Sequence, residues 1–480
     1  MMEKSIYLKN YLLKNNSFRA LSKFLLGTFL LQGISVFTTP IFTRVLTLEG
    51  FGIFSIYQTW VSVFAVFIGL QMSGSIGTAR IHLSEQIFFS YLRSILALSF
   101  ISFVIFTVLF VFFEHQILQL LQLELRHLPY LIIQSFGTAC ATFYLIYTIQ
   151  TKQPNKHFRF SVLNVTFTIA LSLLLVLMFE HDKYMGRIIG GASIGLVIII
   201  FVYRELYFKI KSKIDIEHWK FAIPLSLPLI VHLLANLIIG QSSRVIINKY
   251  LGFEQAAIFS VAYSIGSLGL MIAEATNNVW SPWYLDNTHL KNDNKVNQMS
   301  KLYILAMSMV FSVFVLFSPE ILLVMAPSSY SNGSISIIIV AFGVFFLYLY
   351  RFPLAYEQYA KNLKWVVFCT ISSGLINIGL NFLLIPKYGI NGAAYATFIS
   401  YVILFVLHEF VARKILRNFN IEFKNYITGS VIVLIFTFFT YVYIDEFVYR
   451  MLFGFFFYLF IIWYLLKYGY FNYIKEQFVK

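Results

Sequence analysis

Four side chains pose the chemical question. Arg44, Arg244, Arg351 and Glu274 are ionisable, and each lies in or at the edge of an otherwise apolar run. Charge is costly in hydrocarbon, so such groups tend to line polar pathways or pair with one another. A guanidinium grips phosphate oxygens through two parallel hydrogen bonds. Arginines in this setting therefore suit an anion that carries phosphate, or else they snorkel to lipid phosphates at an interface. Arg351 follows Phe345-Phe346-Leu347-Tyr348-Leu349-Tyr350 and precedes Pro353, a residue that bends a helix and frees a carbonyl. It reads either as a cation at a bend or as the end of a shorter span. Glu274, within Leu270-Met271-Ile272-Ala273-Glu274-Ala275, could pair with an arginine, bind a coupling proton or sodium ion, or stay neutral against a neighbouring helix. Glu357 is a second candidate for coupling. Arg80 follows Ser73-Gly74-Ser75-Ile76-Gly77 and reads as the mouth of a cleft or as an ordinary loop cation. Gln32, His232, Asn236 and Gln241 add neutral polar groups. His232 and Asn236 are four apart and share a helix face, suited to a hydroxyl-rich ligand or to interhelical hydrogen bonds. No second ligand stands at metal spacing from His232, so no metal or cofactor is expected. Trp280 and Trp283 read as an interfacial belt.

The elements that carry these residues are set by hydropathy. Of 480 residues, 59% are hydrophobic and 12% charged, against about 25% charged in soluble domains. About twenty consecutive apolar residues make a helix that crosses the hydrocarbon, and such runs recur at 24–43, 52–74, 91–113, 128–149, 158–179, 186–204, 221–242, 256–279, 302–325, 334–359, 364–385, 390–411, 426–444 and 449–467. Continuous apolar runs exclude a transmembrane β-barrel, whose strands alternate. Backbone groups in lipid must be satisfied within the segment, so the runs are helices. The fold class is an all-α polytopic membrane protein of about 14 transmembrane helices. With the N-terminus in the cytoplasm, the inside segments hold 28 of the 36 Lys and Arg, the asymmetry that sets orientation. Both termini are then cytoplasmic, and the first run reads as an uncleaved signal anchor. The net charge of +15 reads as topology, with no nucleic-acid partner. The two cysteines, Cys140 and Cys369, fall in apolar runs and read as small core residues.

The chain also echoes itself. Arg44-Val45 leads through Glu49-Gly50-Phe51-Gly52 into Ile53-Phe54-Ser55, and Arg244-Val245 leads through Gly252-Phe253 into Ile258-Phe259-Ser260. A second echo sets Lys183-Tyr184-Met185-Gly186 and Gly190-Gly191-Ala192 against Lys387-Tyr388-Gly389 and Gly392-Ala393-Ala394. Six spans separate the copies, an even number, so they share an orientation and would be related by a pseudo-two-fold axis along the membrane normal. The expected organisation is a cytoplasmic segment 1–23, a six-helix bundle 24–204, a cytoplasmic linker 205–220, a second six-helix bundle 221–411, and 412–480 with two further helices and a cytoplasmic tail. Arg44 and Arg244 occupy matching places in this repeat.

Two stretches resemble the polysaccharide-transport family, the bacterial oligosaccharide flippases of O-antigen and capsule type within the multidrug, oligosaccharidyl-lipid and polysaccharide exporter superfamily. They are Pro40-Ile41-Phe42-Thr43-Arg44-Val45-Leu46 with the Gly-Phe loop after it, and Asn381-Phe382-Leu383-Leu384-Ile385-Pro386-Lys387-Tyr388-Gly389-Ile390-Asn391-Gly392-Ala393-Ala394. Members often carry an acidic residue just before the second arginine, where this chain has Ser243. The resemblance implies movement of an undecaprenyl-diphosphate-linked oligosaccharide from the cytoplasmic to the outer leaflet of the bacterial inner membrane by alternating access, by a monomer, with a proton or sodium ion as possible coupling partner. A cation-coupled multidrug-type antiporter is the alternative. No phosphate-binding loop, metal helix or nucleophile elbow occurs in the sequence, and no enzyme activity is expected.

Overall fold

The computed structural model describes residues 16–467 apart from 211, 361 and 418. The ends of the chain assigned above to cytoplasmic segments at 1–15 and 468–480, and the side chain of Gln32, lie outside the described residues. Among the described residues there is helix and no strand. The long helices are α1 (Asn16–Val45), α2 (Leu48–Ile68), α3 (Glu85–Phe112), α4 (Leu128–Gln150), α5 (Pro154–Met178), α6 (Lys183–Tyr203), α7 (Glu217–Leu251) and α8 (Phe253–Gly266, resumed as Leu268–His289). They continue with α9 (Asp293–Leu316) and α10 (Ser334–Leu349, resumed as Arg351–Tyr359). The helical run Leu363–Phe410 is two helices, because Gly389 at φ 60° and ψ −140° turns the chain. These are α11 (363–388) and α12 (390–410). α13 (Phe423–Val442) and α14 (Phe447–Lys467) complete the set. Each expected span falls on one of these helices. Among the described residues, eleven helical segments are long and apolar enough to cross a membrane, which makes this a multi-pass membrane protein.

The packing repeats after six helices. α1 packs on α5, α2 on α4, and α6 on both α4 and α5; likewise α7 packs on α11, α8 on α10, and α12 beside α10 and α11. The turns that produce this are built differently in the two halves. α2 begins at Thr47, whose hydroxyl accepts the Gly50 N–H at 3.1 Å, an N-cap. α8 begins instead at Gly252, at φ 85°, a conformation open to glycine. The close approach of the fifth and sixth helices also recurs. A Cβ on Gly186 would sit 2.5 Å from the Val176 nitrogen, and one on Gly392 would sit 2.2 Å from the Leu384 carbonyl oxygen. Gly190 makes the same kind of approach one turn later, where a Cβ would sit 2.7 Å from the Ser172 Cα.

α2 and α8, the matching helices of the two halves, cross at the middle of the molecule. Gly52 lies against Phe253 so closely that a Cβ there would stand 2.0 Å from its carbonyl oxygen. The serines that end the two Ile-Phe-Ser motifs, Ser55 and Ser260, hydrogen-bond to each other. A residue and its repeat counterpart can touch only near the axis that relates them, so this contact marks the pseudo-two-fold.

Candidate functional site

A half-open cavity of about 220 Å³ is walled by α2, α3, α4 and the turn after α2, with Leu233 and Leu237 of α7 on its remaining side. Its polar lining is Ser62, Gln71, Ser73, Ser99, Thr138 and Thr142, with no acidic residue. The turn is unusual: Leu70 and Gln71 both have positive φ, 49° and 46°, a costly arrangement for residues with side chains that recurs at ligand-binding positions. The polar wall runs on toward the α1–α2 end. Gln134 donates to Gln58 at 3.3 Å and accepts from the Tyr57 hydroxyl at 2.9 Å. Gln58 and Ser62 are four apart, as are Gln134, Thr138 and Thr142, so each set forms one stripe. The sequence reading missed this wall. Its signal was the spacing, unaccompanied by any charge.

His232 and Asn236 are not among the residues lining this cavity, where α7 presents Leu233 and Leu237; the Asn236 amide donates to His232 Nε2 at 3.2 Å. Farther along α7, Arg244 is buried between the halves. It donates to Ser260 Oγ at 3.1 Å, to the Gly240 carbonyl at 3.2 Å and to Gln241, and its guanidinium lies 5.0 Å from the Tyr263 ring. Thr59 of α2 reaches Gln241 at 3.3 Å. Arg244 is thus part of the hydrogen-bonded seam at the pseudo-two-fold. Ser243 bonds Asn381 at 3.1 Å, and Ser242 bonds Asn377 at 2.9 Å. Asn381 and Asn377, themselves bonded at 2.9 Å, staple α7 to α11. This part of the second family-like stretch serves helix packing.

Arg44 has other surroundings. It is exposed, and donates to the Pro40 carbonyl at 2.8 Å and to Val324 at 2.9 Å, near the end of the short helix Ser318–Met325. Guanidinium groups commonly bind such free C-terminal carbonyls. Matching places in the repeat do not make Arg44 and Arg244 a matched pair. With Thr43, which donates to the Met325 carbonyl at 2.9 Å, and the edge-on contact of Phe51 with Tyr330 at 6.1 Å, Arg44 joins the halves at the α1–α2 end. Asn248 and Gln122, 2.5 Å apart, add to that seal.

Arg351 and Glu274 form an ion pair between α10 and α8. The helix breaks at Tyr350, next to the Leu349 carbonyl that Pro353 cannot satisfy. The break frees Arg351 to point across to α8, and Glu274 stays 42% exposed while the arginine is 16% exposed. Glu357 is fully buried, with its Oε2 2.9 Å from His408 Nδ1. Glu357 Oε1 and His408 Nε2 have no hydrogen-bond partner among the described residues. His408 was not a sequence candidate. Arg80 lies on the short helix Ile76–His82 at the α2–α3 end, over the Phe88 ring at 5.4 Å. Trp280 does not sit in an interfacial belt. It is buried, stacked on Tyr303 at 5.1 Å and Tyr284 at 5.8 Å. Among the described residues no group of three or more His, Cys, Asp or Glu converges as a metal site would require.

A model of the family described as polysaccharide biosynthesis protein matches residues 19–288. No curated protein matches the chain in sequence. Solved structures share the fold. The lipid II flippase MurJ in an inward closed conformation aligns with TM-score 0.65 at 16% identity, over 93% of this chain and 98% of that one. A MATE protein in complex with MaL6 aligns at 0.60 and 14% identity, over 84% and 97%. A MOP superfamily transporter from Pyrococcus furiosus, whose binding pocket is described as having reverse polarity, aligns at 0.58 and 16%, over 84% and 96%.

Proposed function

The chain belongs to the polysaccharide biosynthesis protein family, and we propose that it is a flippase, carrying polyprenyl-diphosphate-linked oligosaccharide units from the cytoplasmic to the outer leaflet for surface polysaccharide assembly. The observation that carries this reading is the cavity between the first half and α7, whose polar groups, set in a largely apolar lining, are hydroxyls and an amide with no carboxylate. A sugar hydroxyl moved unsatisfied into hydrocarbon costs about 4–8 kcal/mol. A wall of hydroxyls and amides replaces the lost water, and the prenyl tail can remain in the bilayer. The antiporter alternative calls for acidic groups to meet a cationic drug, and this lining has none.

In the orientation given by the loop charges, the α1–α2 end faces outside and both termini face the cytoplasm. The hydrogen bonds of Arg44, Thr43, Ser55 and Asn248 then make this an outward-closed state. Rocking of the two halves would part the α2–α8 contact and open the outer end while the inner end closes. In this scheme Arg80 meets the incoming diphosphate, and Arg351, released from Glu274, takes it up deeper in the cleft. Glu274 then becomes free to accept a proton or sodium ion, and the buried Glu357–His408 pair is a second place for such an ion.

Deletion of the gene followed by lipid extraction tests the reading. Lipid-linked repeat units should accumulate on the cytoplasmic face, and a copy carrying Arg351→Ala should fail to relieve the accumulation. Normal surface glycan in the deletion strain would refute it.

A further inference from the structure

We propose that a groove on the outer flank of the first six helices, between α5 and α6, holds one anionic glycerophospholipid. The groove encloses about 680 Å³. Its floor is an aromatic cluster: Tyr144 lies 4.8 Å from Phe160 and 5.1 Å from Phe201. Its rims, Phe167 and Val197, are 56% and 59% exposed, so the groove opens sideways to the acyl chains. An apolar groove in this position is always wetted by lipid. What selects one kind of lipid is its polar end.

Lys156 and Arg159 line the groove where α5 begins. Both are exposed, and neither has a hydrogen-bond or ion-pair partner among the described residues. The acid at the same mouth, Glu205, is held by Lys209. Two free cations therefore face the level of the lipid phosphates. Deeper in the groove, Asn164 exposes an amide on an otherwise apolar wall. Its oxygen accepts from Thr168 at 3.3 Å, and its N–H groups have no partner among the described residues. Asn164 stands five residues beyond Arg159, about 7.5 Å along the helix. That is comparable to the separation between a phospholipid's phosphate and its glycerol ester carbonyls. Phosphate on Lys156 and Arg159, ester on Asn164, and acyl chain against Leu163, Phe167 and Val197 uses each polar group once. A polyprenyl diphosphate has no carboxylic ester carbonyl and would leave Asn164 facing hydrocarbon. A zwitterionic headgroup would bring its own cation against the two basic residues. The site is thus distinct from the proposed substrate path; only its assignment to the cytoplasmic leaflet rests on the orientation given above.

The test is native mass spectrometry of the full-length protein equilibrated with equimolar phosphatidylglycerol and phosphatidylcholine. One phosphatidylglycerol should be retained several-fold in preference to phosphatidylcholine. The double variant Lys156→Gln/Arg159→Gln should bring the ratio to parity, and Asn164→Leu should reduce retention of both lipids. A control pair at the same end of the molecule, Lys291→Gln/Lys295→Gln, should leave the ratio unchanged. No preference in the wild type, a preference that survives the double variant, or equal loss in the control pair would overturn the proposal.

Discussion

Arg44 and Arg244 share a local sequence but not an environment, and their substitutions should diverge. Arg244→Ala removes the donor shared by Ser260, Gly240 and Gln241 in the buried seam. Ser260 and Gln241 keep Ser55 and Thr59 as partners, so the loss is that of charge-assisted hydrogen bonds, about 1.5–3 kcal/mol, and surface glycan should fall about tenfold or more in a complementation assay. Arg44→Ala removes exposed hydrogen bonds, and water can replace the guanidinium at the freed carbonyls. Glycan production should stay above half of the wild-type level. Arg351 and Glu274 should behave as a unit: in a double-mutant cycle with Arg351→Ala and Glu274→Ala, the double variant should lose no more transport than the worse single variant. Additive losses would show that the pair does not act together. The shared Arg-Val does not distinguish them, although Gln241, a partner of Arg244, stands where the first copy has Ile41. The difference comes from Val324 in one case and Ser260 in the other, partners set by the tertiary fold. Trp280 was misread for the same reason: its burial depends on Tyr303 and Phe352, which sequence periodicity does not bring together.

At the scale of elements the sequence was more legible. Lipid leaves a run of apolar residues one backbone solution, so hydropathy alone located the helices, and charge in the connecting segments supplied their alternation. The Ile-Phe-Ser echo held more than it first offered, because its two serines meet on the axis. This gives an element-level prediction. With Ser55→Cys and Ser260→Cys in one chain, an oxidant should form a cross-link between α2 and α8, and transport should stop until a reductant is added. Free transport in the cross-linked protein would show that the α2–α8 crossing does not need to move. Substitution of Gly52 by valine should act in the opposite sense. Its side chain would collide with the Phe253 backbone, so the crossing should loosen and the cysteine pair should cross-link several-fold more slowly. The cavity wall was the least legible part. Gln58, Ser62, Gln134, Thr138 and Thr142 follow the four-residue spacing of a helix stripe, yet neutral polar residues are common in helix contacts and draw no attention until a hollow is seen beside them.

For the whole molecule, stability and transport draw on different contacts. Arg450, at the start of α14, is buried and binds Glu320 through two bonds of 3.0 and 2.5 Å, tying the last helix to the segment after α9. Arg450→Met would strand Glu320, itself 30% exposed. Stability should fall by about 2 kcal/mol, less than the 3–5 kcal/mol typical of a fully buried pair, measured as a lower Tm in detergent. Transport per folded molecule should be retained. The central claim concerns the two halves and the hollow between the first half and α7, and flux across a bilayer tests it most directly. The purified chain would be reconstituted in liposomes carrying a fluorescent polyprenyl-diphosphate oligosaccharide in both leaflets, and the fraction open to an added membrane-impermeant quencher would be followed with time. The account predicts that quenching proceeds beyond the initially accessible leaflet toward completion, and that Arg351→Ala slows this second phase about tenfold or more. A second phase no faster than in protein-free liposomes, with correctly folded protein present, would contradict it.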